Sequence, residues 1–184
     1  MRAFSILALA VSTVVLGGCG GGASSVSSEG ASPSSEGFAT EDCRQLIPDE
    51  VIDSLGWTSS QEMDVNLTRC KLVTDKGSVT VQRLSESDEG ETGEAASSRV
   101  FEKACSEGVD SGGSSGPEVE VSSAADSCSS IIADGAGTST LVVLTPDGHI
   151  AEVRIGALVA VPESTLTAAA QLLGRSAVST LDDA

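Results

Sequence analysis

Five cysteines and a single histidine are the side chains of this 184-residue chain with the widest chemical repertoire. A thiol can take an acyl group, pair as a disulfide or bind a soft metal, and its neighbours separate these uses. Cys43, Cys70, Cys105 and Cys128 lie far apart, with no C-x-x-C step between any two. In an exported chain such an even set reads as disulfides, with three connectivities open on spacing alone. His149 is the only imidazole, so a zinc site is not expected. A hydrolase triad needs a base beside its nucleophile. His149 instead follows Thr145-Pro146-Asp147-Gly148, where a turn gives way to a strand, and reads as a surface or cross-strand residue. Serines are abundant, but no Gly-x-Ser-x-Gly elbow occurs. Gly20-Gly21-Gly22 neither follows a strand nor opens a helix, unlike a phosphate loop. Asp88, Glu89, Glu91 and Glu94 crowd negative charge without the alternating ligands of a calcium loop, and a solvated loop is expected there. No pair of carboxylates is nominated for glycoside cleavage, because their separation is a property of the fold. No catalytic residue, metal or cofactor is expected.

The fifth thiol, Cys19, has different surroundings. Met1-Arg2 carries a positive charge, and Ala3 to Leu16 is apolar apart from Ser5, Ser12 and Thr13. That run is too short for a bilayer core of about 30 Å, which takes roughly 20 helical residues. A charged start, a short apolar run and small residues after it make an export signal. Instead of an Ala-x-Ala cut site the chain reads Leu16-Gly17-Gly18-Cys19. This resembles the lipobox of bacterial lipoproteins, in which the cysteine thiol receives a diacylglyceryl group and becomes the first residue of the mature chain. The resemblance implies a signal peptide over residues 1–18 and an acylated, palmitate-type anchor on Cys19. It also implies a place in the cell envelope, on the outer face of the cytoplasmic membrane. Two or more acyl chains would hold stably where one holds marginally.

Residues 19–40 are mostly Gly, Ser, Ala and Glu, too poor in large apolar side chains to fold, and read as a flexible tether. Residues 41–184 are long enough for a single extracytoplasmic domain with its own core. The formal net charge is −17; losing residues 1–18 removes Arg2 and no acid, which leaves −18. That charge argues against nucleic acid and against docking of the domain on anionic headgroups. Solubility and self-repulsion are its plain consequences, and a monomer is expected. Beyond the signal the only aromatics are Phe38, Trp57 and Phe101, so disulfides carry unusual weight.

The elements that must position these residues have legible punctuation. In CRQLIPDEVIDSLGW, Pro48 opens a helix, Asp49 and Glu50 occupy its first turn, and Gly56 follows its end. Leu46, Ile47, Val51, Ile52 and Leu55 form its apolar stripe. TRCKLVTDKGSVTVQRL alternates on both sides of Asp75-Lys76-Gly77 and predicts a hairpin. A helix carries Ala96, Val100, Phe101, Ala104 and Cys105 on one face. EVEVS and Cys128 to Ile132 read as short strands. TSTLVVLTPDGHIAEVRIGALV predicts a second hairpin, and VPESTLTAAAQLLGR a helix from Pro162 that stops at Gly174. The expected fold is α+β, an antiparallel sheet built from hairpins with two to three helices packed on it. Pairing Cys43 with Cys70 and Cys105 with Cys128 is favoured, since each bridge then ties a helix to a following strand within its own half.

Cys43-x-x-Leu46-x-Pro48, the acids, the helix ending Leu55-Gly56 and the strand opening at Cys70 resemble a family of small actinobacterial lipoproteins classed as a domain of unknown function. That family often has tryptophan where Leu72 stands, and Ile47 replaces a hydroxyl residue that would cap the helix better. The resemblance implies an envelope location and a disulfide pattern, and no activity. Trp57 reads as cover for the helix end or as a rim aromatic for a partner. The expectation is a lipid-anchored, non-enzymatic interaction module serving an envelope protein. A carrier of a small apolar ligand or lipid is the alternative, and an envelope-polymer hydrolase ranks last.

Overall fold

The computed structural model describes residues 38–57, 62–86, 92–110, 119–132 and 136–183. The expected signal peptide, Cys19, nearly all of the tether and the acids Asp88, Glu89 and Glu91 lie outside these residues. The described residues all belong to one compact unit.

Two short helices open that unit, α1 over Thr40–Leu46 and α2 over Asp49–Ser54. The Asp42 carboxylate accepts the Ala39 amide at 2.7 Å and so closes the free end of α1. Pro48 then breaks the helix, because it lacks an amide proton and pushes Ile47 out of helical geometry. The same proline caps α2, whose first turn holds Asp49 and Glu50 at the positive end of the dipole. Gly56, at φ +67, takes the left-handed conformation that ends it. All five residues of the expected stripe are buried, so two helices share one apolar surface. Upstream, the Phe38 amide donates to Leu67 O at 3.3 Å and its ring packs on the core.

Six strands follow: β1 (Glu62–Asn66), β2 (Arg69–Thr74), β3 (Gly77–Arg83), β4 (Asp126–Ile132), β5 (Thr138–Leu144) and β6 (Ile150–Ala157). Between β3 and β4 runs α3 (Glu94–Asp110), and α4 (Glu163–Asp182) closes the chain. Every pairing is antiparallel and the order is β1-β2-β3-β6-β5-β4. This is two three-stranded meanders joined through β3 and β6, an α+β fold of the expected class. Thr74 pins the tight turn between β2 and β3, its hydroxyl accepting the Lys76 and Gly77 amides at 3.2 and 3.1 Å.

One sheet face carries α1, α2 and α4. Its core gathers Trp57, Leu46, Ile52, Leu141, Ile155, Leu166, Leu173 and Leu181, all essentially without exposure. Among the described residues only α3 packs on the opposite face, over β5 and β4, with a smaller cluster of Phe101, Val142 and the first residue of β6, Ile150. Both expected bridges are present. Cys43–Cys70 ties α1 to β2 and Cys105–Cys128 ties α3 to β4, with Cα separations of 5.3 and 5.9 Å.

Two expectations are corrected, and one strand was not expected. Val119 to Val121 is not a strand; both valines are buried, but the backbone of Val119 bonds to the hydroxyls of Ser129 and Ser127 at 3.0 and 3.2 Å instead of to a ladder. Gly174 does not stop the last helix, which runs on to Asp182. A Cβ there would stand 2.8 Å from both Leu141 and Val121, so this glycine lets α4 approach the sheet, and Ala177, Val178 and Leu181 continue the buried stripe. Finally, β1 had no counterpart among the expected strands, because only Met63 and Val65 interrupt its polar positions.

Candidate functional site

Side chains alternate across a strand, so burying Cys70, Leu72, Val79, Val81, Val153 and Ile155 on one face sends their neighbours to the other. The registers align those outward residues in rows. One row crosses all six strands as Asp64, Lys71, Thr80, Arg154, Thr140 and Ser130. The next reads Asn66, Arg69, Gln82, Glu152, Val142 and Cys128. Where the rows cross β4 and β5, α3 lies over them. Over β1, β2, β3 and β6 no described helix does.

Three of the chain's ten Lys and Arg residues therefore share this uncovered surface. Arg69, Lys71 and Arg154 rim a shallow depression of about 180 Å³ floored by Thr80 and Gln82, with Glu152 at its edge. Arg69 gives one amino group to Asp64 at 3.1 Å, while its Nε is buried without a partner. Arg154 pairs through Nε with Glu152, which leaves both of its terminal amino groups outside that contact. The side chains of Lys71, Thr80 and Gln82 make no hydrogen bond or ion pair among the described residues. The depression thus presents an excess of unspent donors.

A second polar group lies where β3 and β6 part. Glu86 accepts from Arg83 Nη2 at 2.7 Å and from His149 Nδ1 at 2.6 Å. Against a carboxylate, which only accepts, His149 Nδ1 is the donor, and the same nitrogen lies 3.1 Å from Arg83 Nη2. Burial opposes ionisation of Glu86, but hydrogen bonds from His149 and Arg83 and the adjacent charges outweigh it and hold its pKa below 4.5. His149 is placed by its own turn: Gly148 sits at φ +86, and Thr145 receives the Gly148 amide at 3.0 Å on its carbonyl and the His149 amide at 3.2 Å on its hydroxyl. Glu86 forms one wall of an open cleft of about 500 Å³ beside the start of α3, which Glu94, Ser97, Ser98 and Asp147 also line. A general acid needs its pKa raised, and that of Glu86 is displaced the other way. The cluster ties the segment after β3 to the β5–β6 turn.

The remaining nominated residues separate. Trp57 is fully buried, its ring edge lying over Gly77, and this overturns its reading as a rim aromatic. A Trp directly after a helix-ending glycine is well placed to fold back under the sheet, which is what it does. Cys43 and Cys70 are fully buried, whereas Cys105 and Cys128 are half-buried. Glu94 opens α3. The void under that helix, lined by Ala104, Cys105, Cys128 and Val142, is about 10 Å³, room for at most one water. Among the described residues no group of three potential ligands could hold a metal, and no helix is long and apolar enough to cross a membrane. The residues that sequence reasoning missed are Arg69, Lys71, Arg154, Arg83 and Glu86. The signal for the first three was their outward position in alternating strands. Comparison of the chain with protein-family models, curated proteins and solved structures found no match.

Proposed function

We propose that the protein is a lipid-anchored envelope module of the small lipoprotein type that acts by binding, with its uncovered sheet face turned to the partner. The observation that carries this reading is the asymmetric cover of the sheet. Three helices occupy one face, while β1, β2, β3 and β6 present ordered polar side chains on the other. Rigid strands hold such side chains at fixed spacing, which suits recognition. The order Leu16-Gly17-Gly18-Cys19 supports the anchor, and the two disulfides fit an oxidising compartment. The carrier reading gains nothing from the packing, because small residues close the space under α3.

The test is a benzophenone side chain placed at Val73 on the uncovered face, or at exposed Ala168 on α4, and photoactivated in intact cells. A discrete adduct in the membrane fraction is expected from Val73 alone, and lost when Cys19→Ser releases the protein. Equal labelling from both positions, or adducts that survive Cys19→Ser unchanged, would overturn the reading.

A further inference from the structure

We infer that the depression among Arg69, Lys71 and Arg154 is an anion site that takes a phosphoryl group of a soluble ligand; this deepens the binding reading above and rests on it. Strand spacing sets the geometry. Arg69 and Lys71 are two residues apart on β2, about 7 Å, and Arg154 stands two strands from Lys71, roughly 10 Å. Thr80 lies between Lys71 and Arg154 in one row, and Gln82 between Arg69 and Glu152 in the next. Cations thus approach from both sides over a polar floor.

The donors exceed what the local acids consume. Asp64 takes one amino group of Arg69 and Glu152 takes the Nε of Arg154. Lys71 Nζ, Arg154's terminal amino groups, the Thr80 hydroxyl and the Gln82 amide remain. A carboxylate offers two oxygens and a phosphoryl group three or more, and charge-assisted bonds to a multi-oxygen anion satisfy donors arriving from several strands at once. A depression of about 180 Å³ admits one such group and little more, which points to a phosphorylated small molecule. The concentration of cations here matters because the chain carries a net charge of −17, so an anion meets attraction at this place and repulsion elsewhere. The same net negative charge opposes close approach of the whole domain to an anionic bilayer, which favours a soluble ligand over a headgroup as the source.

Inorganic phosphate is the probe, titrated into the full chain in maltoside detergent with backbone amides followed by NMR. Saturable shifts are expected at Arg69, Lys71, Thr80, Gln82 and Arg154, with affinity weakened about tenfold by Lys71→Gln and unchanged by Arg175→Gln on α4. Equal shifts with chloride at matched ionic strength, or no saturation at millimolar phosphate, would overturn the site. Binding to phosphatidylglycerol vesicles without a response to inorganic phosphate would overturn the soluble source. Val73 adducts without phosphate shifts sink this inference alone, whereas shifts without adducts sink the partner reading and leave the anion site standing.

Discussion

The two halves of the sheet are built alike and covered differently. β1-β2-β3 and β4-β5-β6 are each a three-stranded meander, and joining them through β3 and β6 makes the strand order read the same from either edge. Each half also has a helix bridged to a strand. In the first half, however, Cys43 on α1 reaches β2, the middle strand, on the face that α4 also covers. In the second half, Cys105 on α3 reaches β4, an edge strand, on the opposite face. A symmetric sheet thus acquires an asymmetric cover. Among the described residues the first half has one face sealed and no helix on the other, while in the second half β4 and β5 are covered on both. The donor-rich depression falls on the free face of the first half and the adjoining β6, where nothing requires the outward residues to be apolar.

The largest expected difference lies between the two bridges. Chain separations of 27 and 23 residues give nearly equal loop-closure contributions, about 3.5 kcal/mol each. Replacing Cys43 and Cys70 together by alanine also empties space in the main core, so a loss of about 4–5 kcal/mol is expected there. The Cys105/Cys128 double alanine should lose about 3 kcal/mol, with the added amide exchange confined to α3 and β4. Urea midpoints measure the first effect and hydrogen exchange the second. Under graded reductant the half-buried bridge should open first, as read by alkylation and mass. Opening of Cys43–Cys70 first would break the comparison.

A pair of glycines sharpens the contrast between the two faces. Gly77 points into the sealed face, where a Cβ would lie 2.5 Å from the Trp57 ring and collide with the Gly156 carbonyl. Gly77→Ala should therefore cost about 2–3 kcal/mol, because neither backbone nor a buried indole can yield cheaply. Gly156, one strand across, points to the free face, where a Cβ would meet only the Ser78 hydroxyl at 3.7 Å. Gly156→Ala should change stability by no more than about 0.5 kcal/mol. Thermal melts of the two variants decide it, and equal losses would mean the faces are not distinct.

What was legible in the sequence was whatever is decided within a few residues. Pro48 and Gly56 bracket α2, and Asp75-Lys76-Gly77 marks the turn between β2 and β3; the two bridges, 27 and 23 residues long, were legible because each stays within one half of the chain. Val119 to Val121 shows the limit of alternation: it reports which side chains go inward and is silent on whether a ladder partner exists. Gly174 shows the limit of punctuation, since a glycine after a helical run can end a helix or let it pack closely. The depression was illegible for a different reason. Arg69 and Lys71 come from β2 and Arg154 from β6, and only the β3–β6 pairing brings them together. Likewise His149 was conspicuous in the sequence, but its partners Arg83 and Glu86 lie 66 and 63 residues away. No local pattern carries that information.

The smallest effect tests how the halves are held at the seam. Its Gly77 end is dry and packed by Trp57, whereas its Arg83 end is held by Glu86 between a guanidinium and an imidazole. Because the folded pKa of Glu86 lies below 4.5, its contribution is fully present above about 4.5 and fades as the pH falls through the lower folded value. The carboxylate is one-third exposed, so solvent screening limits the contribution to about 0.5 kcal/mol. Glu86→Gln should accordingly be less stable than the parent near neutrality, and the two should converge as acid protonates Glu86 in the parent. Denaturant melts at successive pH values read this directly. A deficit that stays constant into acid would show that the side chain matters by its shape. No deficit at all would show that β3 and β6 need no ionic clasp where they part, and the seam would then rest on its ladder and its dry end.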